Sequence, residues 1–169
     1  MRADELNGRG VVALSTAEKI GRVDDVLFDA QYRRVLGFRV KKGGLFGQTE
    51  VLLRDSVTAV GDAALTVPSP DVINDEGRFA ELAHAAALSQ VDGTKVVTEG
   101  GDLLGTIAHL EVDDDARTVT AYTLASSLTD RVLRREEEAV AADEVLRLGE
   151  GGIMIVPNAV GERLATQRG

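Results

Sequence analysis

The chain has 169 residues and carries 19 Lys and Arg against 28 Asp and Glu, a formal net charge of −9 at pH 7. Because general nucleic-acid binding needs several cations on one surface, this acidity argues against a DNA-binding protein. The absence of cysteine excludes disulfides, thiolate zinc sites and thiol nucleophiles. The charged N-terminus does not resemble a signal peptide, and no apolar run is long enough to span a bilayer, so we expect a cytoplasmic protein without a transmembrane segment.

The charge is unevenly distributed along the chain. Residues 1–70 hold 10 Lys and Arg against 9 Asp and Glu, whereas residues 71–169 hold 9 against 19. The near-neutral first half therefore leaves a local basic surface as an exception to the overall acidity.

The segment 1–70 shows the pattern of a small β domain. Residues 1–5 form a polar lead-in that we expect to be frayed. In the segment 35–40 the alternation places Leu36, Phe38 and Val40 inward, while Arg39 and Lys41 face water. Short apolar segments bounded by Gly, Asp or Pro predict strands at 11–14, 23–28, 35–40, 50–53, 56–60 and 64–67.

The next segment, residues 74–90, has the composition of a helix. Asn74 is a plausible N-cap, and the Ala-rich remainder has high helix propensity. An apolar stripe at i, i+3, i+4 and i+7 predicts an amphipathic helix that packs on the β domains, and it consists of Phe79, Leu82, Ala83 and Ala86.

The second half of the chain repeats the first. Gly105, Asp113 and Arg117 follow Gly21, Asp29 and Arg33 at a sequence offset of 84, and Tyr122 and Leu124 follow the inward Phe38 and Val40 at the same offset. The offset is 85 before this stretch and grows to 88 and 89 after it. Ordered recurrence of this kind indicates a duplicated unit. Packing of the two copies about a pseudo-twofold axis is one arrangement that such a pair can adopt.

Each repeat resembles the PRC-barrel, a small β-barrel found in the photosynthetic reaction-centre H subunit and in the ribosome maturation factor RimM. The resemblance depends on the segments 20–29, 35–40, 43–47 and 51–57, with counterparts at 104–113, 119–124 and 139–145. It implies an adaptor or assembly role and no shared catalytic residues. The transmembrane helix of the reaction-centre subunit and the N-terminal domain of RimM have no counterpart here, so neither specific function transfers.

We therefore predict a mainly β fold of two small PRC-like β-barrels joined by an amphipathic helix. Module one comprises residues 1–70, a linker helix residues 71–90, module two residues 91–158, and a C-terminal tail or short helix residues 159–169.

Neither catalysis nor metal binding is expected. His84 and His109 have no nucleophile motif or spaced carboxylate partner, and His109 takes the place of Asp25 in the repeat. The run at 113–115 lacks the Gly and Glu of a calcium-binding EF-hand loop and is typical of a solvated turn. We predict no catalytic residues, no metal site and no cofactor.

A basic patch beside an apolar pair is the candidate partner-binding site, and it consists of Arg33, Arg34, Arg39, Lys41, Lys42, Leu45 and Phe46. Folding of Phe46 onto its own barrel is the alternative interpretation of this patch. We predict a non-catalytic adaptor or scaffold that binds a protein partner, a homodimer being one form of this. The alternatives are an RNA- or ribosome-associated assembly factor that uses the basic face, and an enzyme or small-ligand carrier with an inter-barrel cleft. RNA and an anionic membrane surface are the less favoured partners.

Overall fold

The computed structural model describes residues 1–44, 46–125, 138–149 and 151–168. Over these residues the protein is mainly β, with one sheet of eight strands and one of six, and a helix at the C-terminus. Both sheets are strongly bent, because β-bulges interrupt the pairing in each of the long hairpins.

The first sheet has the strand order β5-β6-β1-β2-β3-β4-β7, with β8 paired to β2. Its pairs are antiparallel apart from β1 and β6, which run parallel. The strands are β1 (Gly10–Ala13), β2 (Glu18–Phe28), β3 (Val35–Lys41), β4 (Thr49–Leu53), β5 (Ala59–Val60), β6 (Ala64–Val67), β7 (Ile73–Asn74) and β8 (Ala86–Ala87).

The second sheet has the order β12-β11-β10-β9-β14-β13, again with one parallel pair, β9 and β14. Helix α1 (Asn158–Arg168) follows the last strand and buries Val160 and Leu164. The strands are β9 (Lys95–Thr98), β10 (Leu103–Val112), β11 (Val119–Ala125), β12 (Glu138–Ala141), β13 (Arg147–Leu148) and β14 (Ile153–Val156).

The predicted duplication is confirmed in three dimensions. Strand β3 of module one is equivalent to β11 of module two, and the two strands begin at Val35 and Val119. Strands β1 and β9 are likewise equivalent, as are β5 and β13. In each repeat the turn after the long strand is organised by an aspartate. Asp29 Oδ1 accepts from Arg33 N at 2.8 Å, and Asp113 Oδ1 accepts from Arg117 N at 2.7 Å.

Neither sheet closes into the predicted barrel. Within the described residues, no strand pairing joins the two ends of either sheet. In module one a 3₁₀ turn, Arg54–Ser56, carries the chain from β4 to β5, and the free edge of β4 pairs with β7 instead. Pairing with β7 uses hydrogen-bonding groups of β4 that closure would need, so module one is an open sheet.

The predicted linker helix over residues 74–90 is wrong. This segment consists of strands β7 and β8 with 3₁₀ turns between and after them. Because β7 pairs with β4 and β8 pairs with β2, the two ends of the segment gain backbone partners that a continuous helix would forgo. Part of the apolar stripe is still used, since Leu82 is buried and Phe79 packs against the same cluster, whereas Ala83 is exposed.

Two hydrophobic clusters form the interior. The main cluster is continuous across both modules and includes Phe38, Val40, Tyr122 and Leu124, as the alternation predicts. The smaller cluster covers part of the outer face of the first sheet and consists of Leu27, Val51, Leu82 and Ala87, with Leu36 packed against it. The inward prediction for Leu36 is wrong, because the bulge beside Phe28 breaks the alternation at that point.

The modules meet through equivalent turns. Val35 N donates to Arg117 O at 2.9 Å, and Val119 N donates to Arg33 O at 2.8 Å. Val35 and Val119 are equivalent positions of the two repeats, and so are Arg33 and Arg117. A reciprocal exchange of this kind is what a pseudo-twofold arrangement produces.

The segment that precedes the first strand of each module pairs with a strand of the other module. Strand β8, which leads into module two, pairs with β2 of module one. Correspondingly, Val112 N in β10 of module two donates to Met1 O at 2.8 Å, and Leu6 is fully buried. The prediction that residues 1–5 fray is therefore wrong, because these residues pair with the other module.

Candidate partner-binding site

The hairpin tip between β3 and β4, residues 42–48, is shaped by glycines. Lys42 N donates to Gln48 O at 2.9 Å, and Gly47 N donates to Gly44 O at 2.9 Å. Gly43 has φ +78, and a Cβ at position 47 would overlap the carbonyl oxygen of Lys42. Only glycine meets both conditions without strain, so the sequence of the tip defines its shape.

Phe46 lies at the end of this tip with 96% of its surface exposed. Among the described residues, the next most exposed large apolar side chain is Leu103, at 60%. The alternative that Phe46 folds onto its own sheet is therefore not observed. Leu45, the other apolar residue of the predicted patch, lies outside the described residues.

The predicted patch is divided between two ends of one strand. Arg33 and Arg34 precede β3, whereas Lys41 ends it, and the extended strand between them spans about 20 Å. Arg33 Nη2 donates to Val145 O of module two at 2.6 Å, so this side chain joins the modules. Arg34 has an exposed side chain, and its backbone forms a bridge with Thr118.

Two further cations of the patch are compensated by carboxylates. Arg39 lies 3.2 Å from Glu76 and 3.8 Å from Asp25, and Lys42 lies 2.8 Å from Glu50. Lys41 has no such partner within the described residues. Of the seven predicted residues, the structure thus brings Lys41, Lys42 and Phe46 together at the tip.

Two cations beside the tip were missed by sequence analysis. Arg22 in β2 lies directly opposite Lys41, and Lys19 in the same strand extends over Gly10. Both side chains are exposed. The signal that could have identified them is strand register, because pairing the predicted strands antiparallel brings Arg22 beside Lys41 although the two are distant in the chain.

The histidines and the acidic turn have structural surroundings. His84 is exposed, and His109 Nδ1 lies 3.0 Å from Arg2 Nη2. Asp113 Oδ1 accepts hydrogen bonds from backbone amides of its own turn. Among the described residues, no group of three or more His, Asp or Glu could hold a metal ion, and none of the helices is long and apolar enough to cross a membrane.

A cleft of 340 Å³ lies at the junction of the modules, lined on one side by Arg54 and Arg117. Arg54 is buried, and its Nε and Nη2 both donate to Asp115 O, at 2.9 and 2.6 Å. Burial, and then the charge of Arg117, lower the pKa of Arg54 from its ordinary value. Because its guanidinium donates to carbonyl groups of Asp115 in module two and Val57 in module one, Arg54 connects the two modules.

Comparison with protein families places these features in context. The search of curated proteins finds no match. The model of the PRC-barrel domain matches residues 1–79 and, separately, residues 84–160. The two matches coincide with the two repeats of the sheet architecture and together cover most of the chain. The chain therefore belongs to the PRC-barrel domain family, and it contains two copies of the domain.

Proposed function

We propose that this protein is a non-catalytic adaptor that binds another protein through the hairpin tip of module one. The observation that carries this proposal is the 96% exposure of Phe46 on a glycine-shaped tip. Burying an aromatic side chain of this kind contributes about 1.5–3 kcal/mol, and aromatic residues are enriched at the centres of protein interfaces. A partner with an apolar recess would recover this free energy.

The tip suits docking because its base is held firmly. Lys42 and Glu50 form an ion pair at 2.8 Å where the tip leaves the sheet, and β3 and β4 pair without a bulge up to Lys41 and Thr49. An anchored tip loses little conformational entropy when it binds, so more of the contact energy is available for affinity.

The RNA- or ribosome-associated function has less support from the geometry. It depended on five cations forming one face, but Arg33 contacts module two, and Arg39 and Lys42 form ion pairs. A large polyanion would also meet the overall charge of −9. RNA binding that weakens steeply with salt would restore this alternative.

Affinity capture from the native cell tests the adaptor proposal. Wild-type protein is compared with Phe46→Ser and with a matched control, Leu103→Ser, which removes the next most exposed apolar side chain and lies in module two. We expect Phe46→Ser to lose partners that both wild type and Leu103→Ser retain, with all three proteins melting at similar temperatures. An unchanged set of captured proteins in Phe46→Ser would overturn the proposal.

A further inference from the structure

Three cations form a row across the outer face of the first sheet, and we name Lys19, Arg22 and Lys41 the cationic row. Arg22 lies directly opposite Lys41 in the β2–β3 pairing and directly opposite Gly10 in the β1–β2 pairing. A Cβ on Gly10 would lie 3.2 Å from Lys19 Cε, so the Lys19 side chain extends over Gly10. Because residues directly opposite each other share a face, Arg22 and Lys41 lie side by side, and the Lys19 side chain reaches the same face over Gly10.

The row lacks internal compensation. Within the described part of the chain, none of its three cations forms an ion pair with a carboxylate, including the exposed Glu18 and Asp24 of the same strand. Like charges directly opposite each other in a sheet are destabilising. The arrangement of Arg22 and Lys41 therefore carries a cost in the free protein.

Module two shows that the fold does not require this row. In the repeat, the positions of Lys19, Arg22 and Lys41 are occupied by Leu103, Thr106 and Ala125. Strands β10 and β11 form the same bulged antiparallel hairpin with these uncharged residues. The cations are thus specific to the module that also carries the exposed phenylalanine.

The row ends at the base of the tip, since Lys41 is the last residue of β3 and the tip begins at the next residue. On the basis of the proposed function, we infer that the partner is a protein that presents an acidic segment. Its carboxylates contact Lys19, Arg22 and Lys41, while its apolar recess receives Phe46. Charge-assisted contacts of this kind set specificity and the rate of encounter.

The overall charge favours an acidic peptide segment over RNA or an anionic membrane. At physiological ionic strength charges are screened beyond about 8 Å, so a short segment placed on the row meets mainly its three cations. An extended polyanion or a charged bilayer would also face the rest of a chain whose net charge is −9. Three basic residues are also fewer than the clusters of about four to eight that are typical of binding to anionic lipids.

Fluorescence anisotropy with labelled peptides tests this inference. The first peptide alternates Glu or Asp with Leu and Phe, and the second is identical except that Gln and Asn replace the acidic residues. The protein variants are Arg22→Glu/Lys41→Glu, Phe46→Ser, and Arg78→Glu/Lys95→Glu, which reverses two exposed cations elsewhere. Poly-uridine RNA and vesicles containing anionic lipid are measured in parallel.

We expect the acidic peptide to bind more tightly than its amide counterpart. It should bind about 10-fold more weakly to Arg22→Glu/Lys41→Glu, because the reversal replaces two exposed attractive contacts by repulsive ones. The control reversal should leave binding unchanged. Equal affinity for the two peptides, no effect of the row reversal, or preferential binding of RNA or vesicles would overturn the inference. If Phe46→Ser abolishes partner capture while the row reversal does not weaken it, the adaptor function stands and the acidic partner is rejected.

The thermal stability of a neutral variant provides a second check. Arg22→Gln/Lys41→Gln removes the opposed charges, so it should melt at the same temperature as wild type or higher, while still losing affinity for the acidic peptide. A lower melting temperature would mean that the row stabilises the sheet, which would contradict the inference.

Discussion

Replacing Tyr122 by phenylalanine should weaken the junction between the modules. The Tyr122 side chain is fully buried, and its hydroxyl donates a hydrogen bond to Tyr32 O of the other module at 2.7 Å. Removing the donor leaves a buried carbonyl group without this partner, which costs about 1–3 kcal/mol at neutral pH. For a chain of this size, each kcal/mol lowers Tm by about 2–4 °C.

The same hydroxyl should make wild-type stability fall at alkaline pH. Burial, and to a lesser degree Asp29, raise the pKa of Tyr122 to about 12, while Arg33 opposes the rise. In the unfolded chain tyrosine ionises near pH 10, so the unfolded state loses a proton that the native state retains. The contribution is fully present below pH 10 and is lost as the pH rises toward 12, to a total of about 3 kcal/mol.

Urea denaturation between pH 7 and pH 12 measures both effects. Tyr122→Phe should be less stable than wild type at pH 7, and the difference should shrink or reverse above pH 11. The comparison variant Tyr32→Phe removes a different buried hydroxyl, which donates to Ala87 O at 2.8 Å. Because burial also raises the pKa of Tyr32, this variant should lose part of the alkaline dependence and keep the part that is due to Tyr122. Parallel pH profiles for wild type and Tyr122→Phe would refute the reasoning.

Three further substitutions have defined outcomes. Arg33→Ala should cost about 1 kcal/mol in urea denaturation and leave partner affinity unchanged, because this partly exposed side chain joins the two modules. Asp25→Ala should cost about 1–3 kcal/mol and accelerate amide hydrogen exchange around Ser89, whose hydroxyl and amide it holds at 2.6 and 3.2 Å. Gly47→Ala should lower partner affinity with little change in Tm, because the new Cβ overlaps the Lys42 carbonyl at an exposed tip.

The duplication could be predicted from sequence because its markers act locally. Asp29 and Asp113 each accept a hydrogen bond from an amide one short turn later in the chain, and the inward apolar residues alternate over a single strand. Such constraints are expressed within a short segment, so they recur wherever the unit recurs.

The linker could not be predicted in the same way. The spacing of Phe79, Leu82 and Ala86 fits one face of a helix, but in the structure Phe79 and Leu82 pack in the smaller cluster and Ala86 packs against the main one. What decides the conformation is the pairing of the segment with β2 and β4, which are distant in sequence. Tertiary hydrogen bonding overrode local helix propensity.

The candidate site was predicted only in part for a related reason. Arg33 and Lys41 are close in sequence, but an extended strand separates them. Arg22 and Lys41 are distant in sequence, but the hairpin register places them side by side. The patch predicted from proximity along the chain therefore combined residues from the two ends of β3 and omitted Arg22, which lies opposite Lys41.

Site-specific photo-crosslinking in the native cell tests the central claim most directly. A photoreactive phenylalanine analogue at position 46 should crosslink to a discrete partner protein, whereas the same group at the exposed position 103 of module two should not capture that protein. Equal crosslinking of the same proteins from both positions, or no protein crosslink from position 46, would contradict the account of the tip as the docking site.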